Sequence, residues 1–116
     1  DTFILPETLR DAEVYWISYP LTLRPGSGVV RKDLLTYLEE HHIQTRLVFA
    51  GNILHHPAYA GIQYRLVGDL RRADTIMKQS FLIGCHQGLT DAHLDYLMQT
   101  FSNYFRERKL PAPTLR

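Results

Sequence analysis

The chain is 116 residues long, room for one domain of ordinary size and not for two. At 45% hydrophobic and 22% charged residues it is globular in composition, which excludes the disordered and fibrous classes. Lys plus Arg 13 against Asp plus Glu 12 leaves a net charge of +1, which gives no reason to expect a nucleic-acid backbone or an anionic membrane surface as partner. A single cysteine excludes an internal disulfide. No apolar run approaches the ~20 residues of a membrane-spanning helix, and the Asp1-Thr2-Phe3-Ile4-Leu5-Pro6 start lacks the basic residues of a signal peptide. The expectation is a cytoplasmic domain. A first residue that is Asp rather than Met adds the expectation of a piece of a longer polypeptide.

Residues Phe3 to Arg10 show no period and read as a lead-in. Val14 to Leu23 is dense in β-branched and aromatic residues with neither face polar, which predicts a strand covered on both sides, with Pro20 at an edge or bulge. Arg24-Pro25-Gly26-Ser27-Gly28 reads as a turn. A helix is predicted from Arg31 to His41 on the stripe Leu34, Leu35, Leu38, starting at Val30 without a capping side chain. Arg46 to Ala50 is a short strand, and Gly51 to Gly68 a loop long enough to suggest a binding role. A short helix from about Asp74 should turn Ile76 and Met77 inward, and Phe81 to Cys85 is of strand length. The strongest helix runs from Asp91 to Glu107 behind Thr90 as cap, with Leu94, Leu97, Met98, Phe101 and Phe105 on one stripe. The β-α-β-loop-α-β-α order predicts a small α/β (α+β) domain, a sheet with helices on one face, whose other face is solvated or covered by a partner. Residues 1–116 form one domain in this reading, and 110–116 a flexible Pro-rich tail.

Most of the reactive residues carry no recognisable chemistry. His41-His42 and His55-His56 are adjacent pairs whose side chains diverge, and the H-x-x-x-H spacing of a helical zinc site is absent, so no metal is expected. Cys85 ends an apolar run with nothing nearby to activate it. Gly26-Ser27-Gly28 lacks the further glycine and lysine of a phosphate loop. The informative string is Ile43-Gln44-Thr45-Arg46-Leu47-Val48-Phe49-Ala50-Gly51-Asn52-Ile53-Leu54-His55-His56-Pro57. It places a guanidinium at the start of a strand and an amide and two imidazoles in the loop leaving its end. Such groups bind carboxylate or phosphate, hydroxyls and carbonyls. An ordinary surface ion pair at Arg46 and a merely long loop account for the same residues.

This string, taken with Tyr19-Pro20-Leu21-Thr22, Leu38-Glu39, Tyr64-Arg65-Leu66-Val67-Gly68-Asp69-Leu70, Ala73-Asp74, Ile76-Met77, Ile83-Gly84 and Gly88-Leu89-Thr90, resembles the C-terminal part of the sugar aminotransferase and dehydrase family that depends on pyridoxal phosphate (PLP). The likeness is closest to the nucleotide-linked 4-keto-6-deoxyhexose 3-dehydrases of lipopolysaccharide biosynthesis. It covers nearly the whole chain but only the last quarter or so of a typical member. Ile17-Ser18, Val30 and Ala73 depart from the dehydrase pattern, and Gln87 replaces the proline that follows the histidine in many aminotransferase relatives; these departures are compatible with a diverged sugar aminotransferase.

The resemblance implies the C-terminal small domain of a fold-type I PLP enzyme, closing over a nucleotide-linked keto-deoxysugar beside an N-terminal large domain, in a homodimer. It places Arg46 and Asn52 near the sugar cleft, His55 and His56 in the bordering loop, Tyr19 in a bordering strand and His86 where many relatives have a histidine. It puts the groups that act on the cofactor in the large domain, so the isolated chain is expected to bind no PLP and to be inert. The alternatives are a stand-alone binding or assembly module and an unrelated ligand-sensing α/β sandwich.

Overall fold

The computed structural model describes residues 2–113. Four antiparallel strands, β1 (Phe3–Ile4), β2 (Ser18–Leu23), β3 (Thr45–Arg46) and β4 (Ser80–Gly84), form one sheet in the order β1-β2-β4-β3. The helices are α1 (Arg31–Glu40), α2 (Arg71–Gln79) and α3 (Asp91–Glu107), and two short 3-10 turns, Ile53–His55 and Pro57–Tyr59, lie between β3 and α2. The register pairs Tyr19 with Ile83 and Leu21 with Phe81. Because side chains alternate, these residues and Leu23 share one face, while Pro20, Thr22, Ser80 and Leu82 share the other. On the first face Leu21, Leu23, Phe81 and Ile83 pack against Leu34, Tyr37 and Leu38 of α1 and Phe101, Tyr104 and Phe105 of α3. The expected sheet with helices on one face is therefore present. On the opposite face the Thr22 and Ser80 hydroxyls bond at 2.7 Å.

Helix α3 has the bounds expected from its stripe, and the Thr90 N–H donates to His93 Nδ1 at 3.1 Å to hold its first turn. Helix α1 begins at Val30 with no side-chain cap, as expected. Both helices end in the same way. The Ile43 N–H reaches the Leu38 carbonyl and the Leu110 N–H the Phe105 carbonyl, each at 2.9 Å, and the turns pass through left-handed His42 (φ 59°) and Lys109 (φ 53°). The apolar residue after each turn, Ile43 or Leu110, packs onto the core. Of the tail expected over residues 110–116, residues 114–116 lie outside the described ones.

Several boundaries differ from expectation. Strand β2 starts at Ser18 rather than Val14, because its partner β4 ends at Gly84, opposite Ser18; Ile17 beyond that point is 92% exposed instead of covered. Strand β1, missing from the sequence reading, adds only two pairs and ends before Pro20, so Pro20 has no β1 partner. Strand β3 stops at Arg46 instead of reaching Ala50, since the Phe49 N–H folds back onto the Leu47 carbonyl and the chain turns. Strand β4 is shifted one residue toward the N-terminus, leaving Cys85 outside it. Helix α2 starts at Arg71 rather than near Asp74, because the Asp69 carboxylate accepts the Arg71 N–H at 3.1 Å. Met77 is half-buried, but Ile76 is exposed and contributes nothing to the core. On α3, Leu94 and Met98 are also exposed, bordering an apolar groove of about 510 Å³ that Tyr19, Ile83 and Leu97 help to line.

A polar clamp joins α1 to α3. Asp33 Oδ2 accepts from the Tyr104 hydroxyl at 2.9 Å and from Arg108 Nε at 3.1 Å, and the guanidinium lies over the Tyr37 and Tyr104 rings. Burial, then the bond to Asp33, pushes the Tyr104 hydroxyl up to about 12. Arg108 and then Tyr104 hold the Asp33 carboxyl below its usual value. A second tie has the same sign: the Thr45 N–H and hydroxyl donate to Glu39 at 2.6 and 2.8 Å and lower that carboxyl. A lowered folded-state value adds stability above the unfolded value, near pH 4, and loses it as the pH falls through the folded value. Denaturant midpoints are therefore expected to fall as the pH drops from about 5 toward 2. Asp33→Asn should lower the midpoint at pH 7 and narrow its difference from wild type in acid; a constant difference at both ends would contradict the clamp.

Candidate functional site

The segment singled out by the sequence forms a fastened loop. Asn52 is 4% exposed; its Nδ2 donates to Asp74 Oδ1 at 2.6 Å and its Oδ1 accepts the Leu54 N–H at 3.2 Å, capping the first 3-10 turn. His55 Nε2 meets the same Asp74 oxygen at 2.9 Å, and His56 Nε2 meets the Ala50 carbonyl at 2.7 Å. The Asn52 bond, then the His55 bond, holds the Asp74 carboxyl below its usual value against a smaller opposing effect of burial. Gly51 has φ +61° and lies so close to α2 that a Cβ there would stand 2.6 Å from Met77 Cβ.

The fastening presents side chains outward. Phe49 takes a left-handed φ of 42°, and the residue is 94% exposed. For an L residue this backbone costs about 1–2 kcal/mol, and the exposed ring gains nothing from burial within the chain. Arg46 is exposed at the entry to the loop, and among the described residues it makes no hydrogen bond or close ion pair, although its charge adds slightly to the lowering of the nearby Glu39 carboxyl. The internal ion pair that would make it scaffold is therefore not seen.

The six expected site residues do not converge. Arg46 pairs with Leu82 and so lies on the sheet face opposite the core, whereas Tyr19, paired with Ile83, faces the core side and meets Trp16 edge to face at 5.6 Å. The sheet separates these two. His86 follows β4, and its Nδ1 accepts the Gly88 N–H at 3.1 Å to hold a turn. Asn52, His55 and His56 do share one loop, with the amide of Asn52 engaged at both ends and Arg46 at its entrance. Asp74 belongs to this cluster although the sequence reading does not include it. It is 22 residues from Asn52, and no local pattern shows that pairing.

Among the described residues no group of three or more His, Cys, Asp or Glu gathers as a metal site, and no helix is long and apolar enough to cross a membrane. The accessible surface, 9073 Å², exceeds the roughly 6,500 Å² expected of a compact monomer of this mass. The radius of gyration, 16.2 Å, likewise exceeds about 13 Å. Tyr15, Ile17, Leu47, Phe49 and Val67 are among the large apolar side chains in that surface.

The fold and the sequence together match one known family. The sequence profile of the DegT/DnrJ/EryC1/StrS aminotransferase family matches residues 1–102, and the chain belongs to that family. It is 45% identical over 101 residues to the lipopolysaccharide biosynthesis protein RfbH of Salmonella typhimurium, covering 87% of this chain and 23% of that protein. Identity to the dTDP-4-dehydro-2,6-dideoxy-D-glucose 3-dehydratase of Saccharopolyspora spinosa is 31% over 101 residues, covering 87% of this chain and 22% of the relative. The fold is that of E. coli GDP-4-keto-6-deoxy-D-mannose-3-dehydratase, solved with bound hydrated PLP: TM-score 0.75, 23% identity, 85% of this chain and 25% of that one. The chain thus spans about a quarter of the length of these relatives.

Gly51 is the most demanding backbone position in the loop. Gly51→Ala is expected to cost roughly 2–4 kcal/mol, from the left-handed φ and from overpacking against Met77. Denaturant melts check this, and a loss below about 0.5 kcal/mol would mean that the loop does not lie against α2 as described.

Proposed function

We propose that the full-length protein is a PLP-dependent enzyme acting on a nucleotide-linked keto-deoxyhexose in polysaccharide biosynthesis, and that this chain is the domain walling one side of its substrate cleft. Dehydration at the sugar 3-position is favoured over amino transfer, because two of the three relatives described above are named as 3-dehydratases. The observation that carries the reading is a family-matched loop fastened by Asn52, Asp74, His55 and His56 while Arg46 and Phe49 stay exposed, Arg46 with no hydrogen bond or close ion pair among the described residues. A large domain supplying the rest of the cleft, and a second subunit in a homodimer, would cover the apolar surface left open.

The residues of this chain do not fit PLP. Lys32, Lys78 and Lys109 are each exposed, and the cleft of about 700 Å³ that Lys32 borders is open to solvent and lined by Glu39 and Glu40, whose charges would repel a phosphate. The chain's contribution is to bind and orient the sugar nucleotide and to exclude water. Arg46 offers paired N–H donors to the anionic part of such a ligand, a geometry that lysine cannot reproduce. Tyr19 and His86 have structural roles in this reading, and Asn52 fixes the loop rather than touching the ligand.

Arg46→Ala in the full-length enzyme is expected to lower kcat/KM by about one to two decades, the equivalent of a lost charged hydrogen bond of roughly 1.5–3 kcal/mol, with the denaturation midpoint nearly unchanged. Arg46→Lys should recover part of the loss. A lowered midpoint with kcat/KM intact would make Arg46 scaffold and overturn its assignment.

A further inference from the structure

The Asp74 contact to His55 restricts more than the position of the ring. An ionised carboxylate can only accept hydrogen bonds, so the His55 Nε2 that lies 2.9 Å from Asp74 Oδ1 must carry the proton. In a neutral ring protonated at Nε2, Nδ1 is a bare acceptor. Among the described residues His55 Nδ1 has no hydrogen-bond partner, and the side chain is half exposed. Asp74 is itself held in place, since the buried Asn52 amide donates to the same oxygen at 2.6 Å and α2 carries Asp74 in its first turn, where the helix dipole favours a negative charge. The neighbouring His56 follows the same rule: the Ala50 carbonyl can only accept, so Nε2 donates there as well.

We propose that Asp74 is a positioning residue for ligand binding, holding His55 as the Nε2–H tautomer with Nδ1 offered to a hydroxyl of the sugar. The inference rests on the cleft reading above and adds a division of labour to it. A bare acceptor nitrogen repels phosphate oxygens and welcomes a hydroxyl donor, so His55 serves the hexose while Arg46 serves the anionic part of the same molecule. Asp74 need not touch the ligand.

Two measurements test this. In the 116-residue chain, nitrogen-15 NMR of the imidazoles should show neutral His55 protonated at Nε2 alone, with an Nδ1–H population emerging in Asp74→Ala; wild-type His55 protonated at Nδ1 would overturn the proposal whatever the substrate. In the full-length enzyme the probes are GDP-4-keto-6-deoxymannose and dTDP-4-dehydro-2,6-dideoxyglucose. His55→Ala and Asp74→Ala should each raise KM about tenfold with a smaller change in kcat, and the double variant should be no worse than His55→Ala alone. Asp74→Asn, which keeps an oxygen at the contact, should recover part of the loss. Additive losses in the double variant would make Asp74 merely structural. An effect of His55→Ala with Asp74→Ala silent would defeat the positioning role alone, and an inert His55→Ala with a damaging Arg46→Ala would remove His55 from the cleft without touching the wider reading.

Discussion

The pairing of β2 with β4 organises this domain. Five residue pairs, from Ser18 opposite Gly84 to Thr22 opposite Ser80, decide which side chains meet α1 and α3 and which turn away. A slip of one residue would exchange Leu21 and Leu23 for Pro20 and Thr22 in the core. The same register, extended through Thr45 opposite Ile83 and Arg46 opposite Leu82, buries Thr45 and turns Arg46 to the far face. The position of the candidate ligand-binding arginine is thus a consequence of core packing two strands away.

The loop that leaves Arg46 is built at some energetic cost. Phe49 adopts a left-handed backbone that an L residue disfavours, Gly51 lies against Met77 where no Cβ fits, and a buried amide and two imidazoles fasten the turn. Strain of this kind persists where surrounding structure over-determines it, and it clusters at functional sites. The open groove beside α3 and the exposed Ile17 and Phe49 show the same economy at larger scale: the fold completes one core between sheet and helices and leaves substantial apolar surface for something else to cover.

Legibility in the sequence followed the range of the interactions. Helix α3 could be read to its bounds because its stripe and its Thr90 start are local, and α1 nearly so. The short strands could not: two residues at Phe3–Ile4 carry no period, and the ends of β2 and β3 are decided by where β4 stops and where Phe49 turns back. The loop from Ile43 to Pro57 was recognisable as a unit through its family string, yet the roles within it were not. The sequence does not show that the Asn52 amide engages Asp74, nor that the pleat places Tyr19 and Arg46 on opposite faces of the sheet.

We propose, centrally, that this is a cleft domain whose outward apolar side chains are covered in a longer enzyme. Amide hydrogen exchange, measured on the 116-residue chain and on the full-length protein, tests it most directly. Residues 14–17 and 47–53 are expected to exchange at least about tenfold more slowly in the full-length protein, with the β2 and β4 amides little changed. Equal exchange of those two segments in both proteins would contradict it.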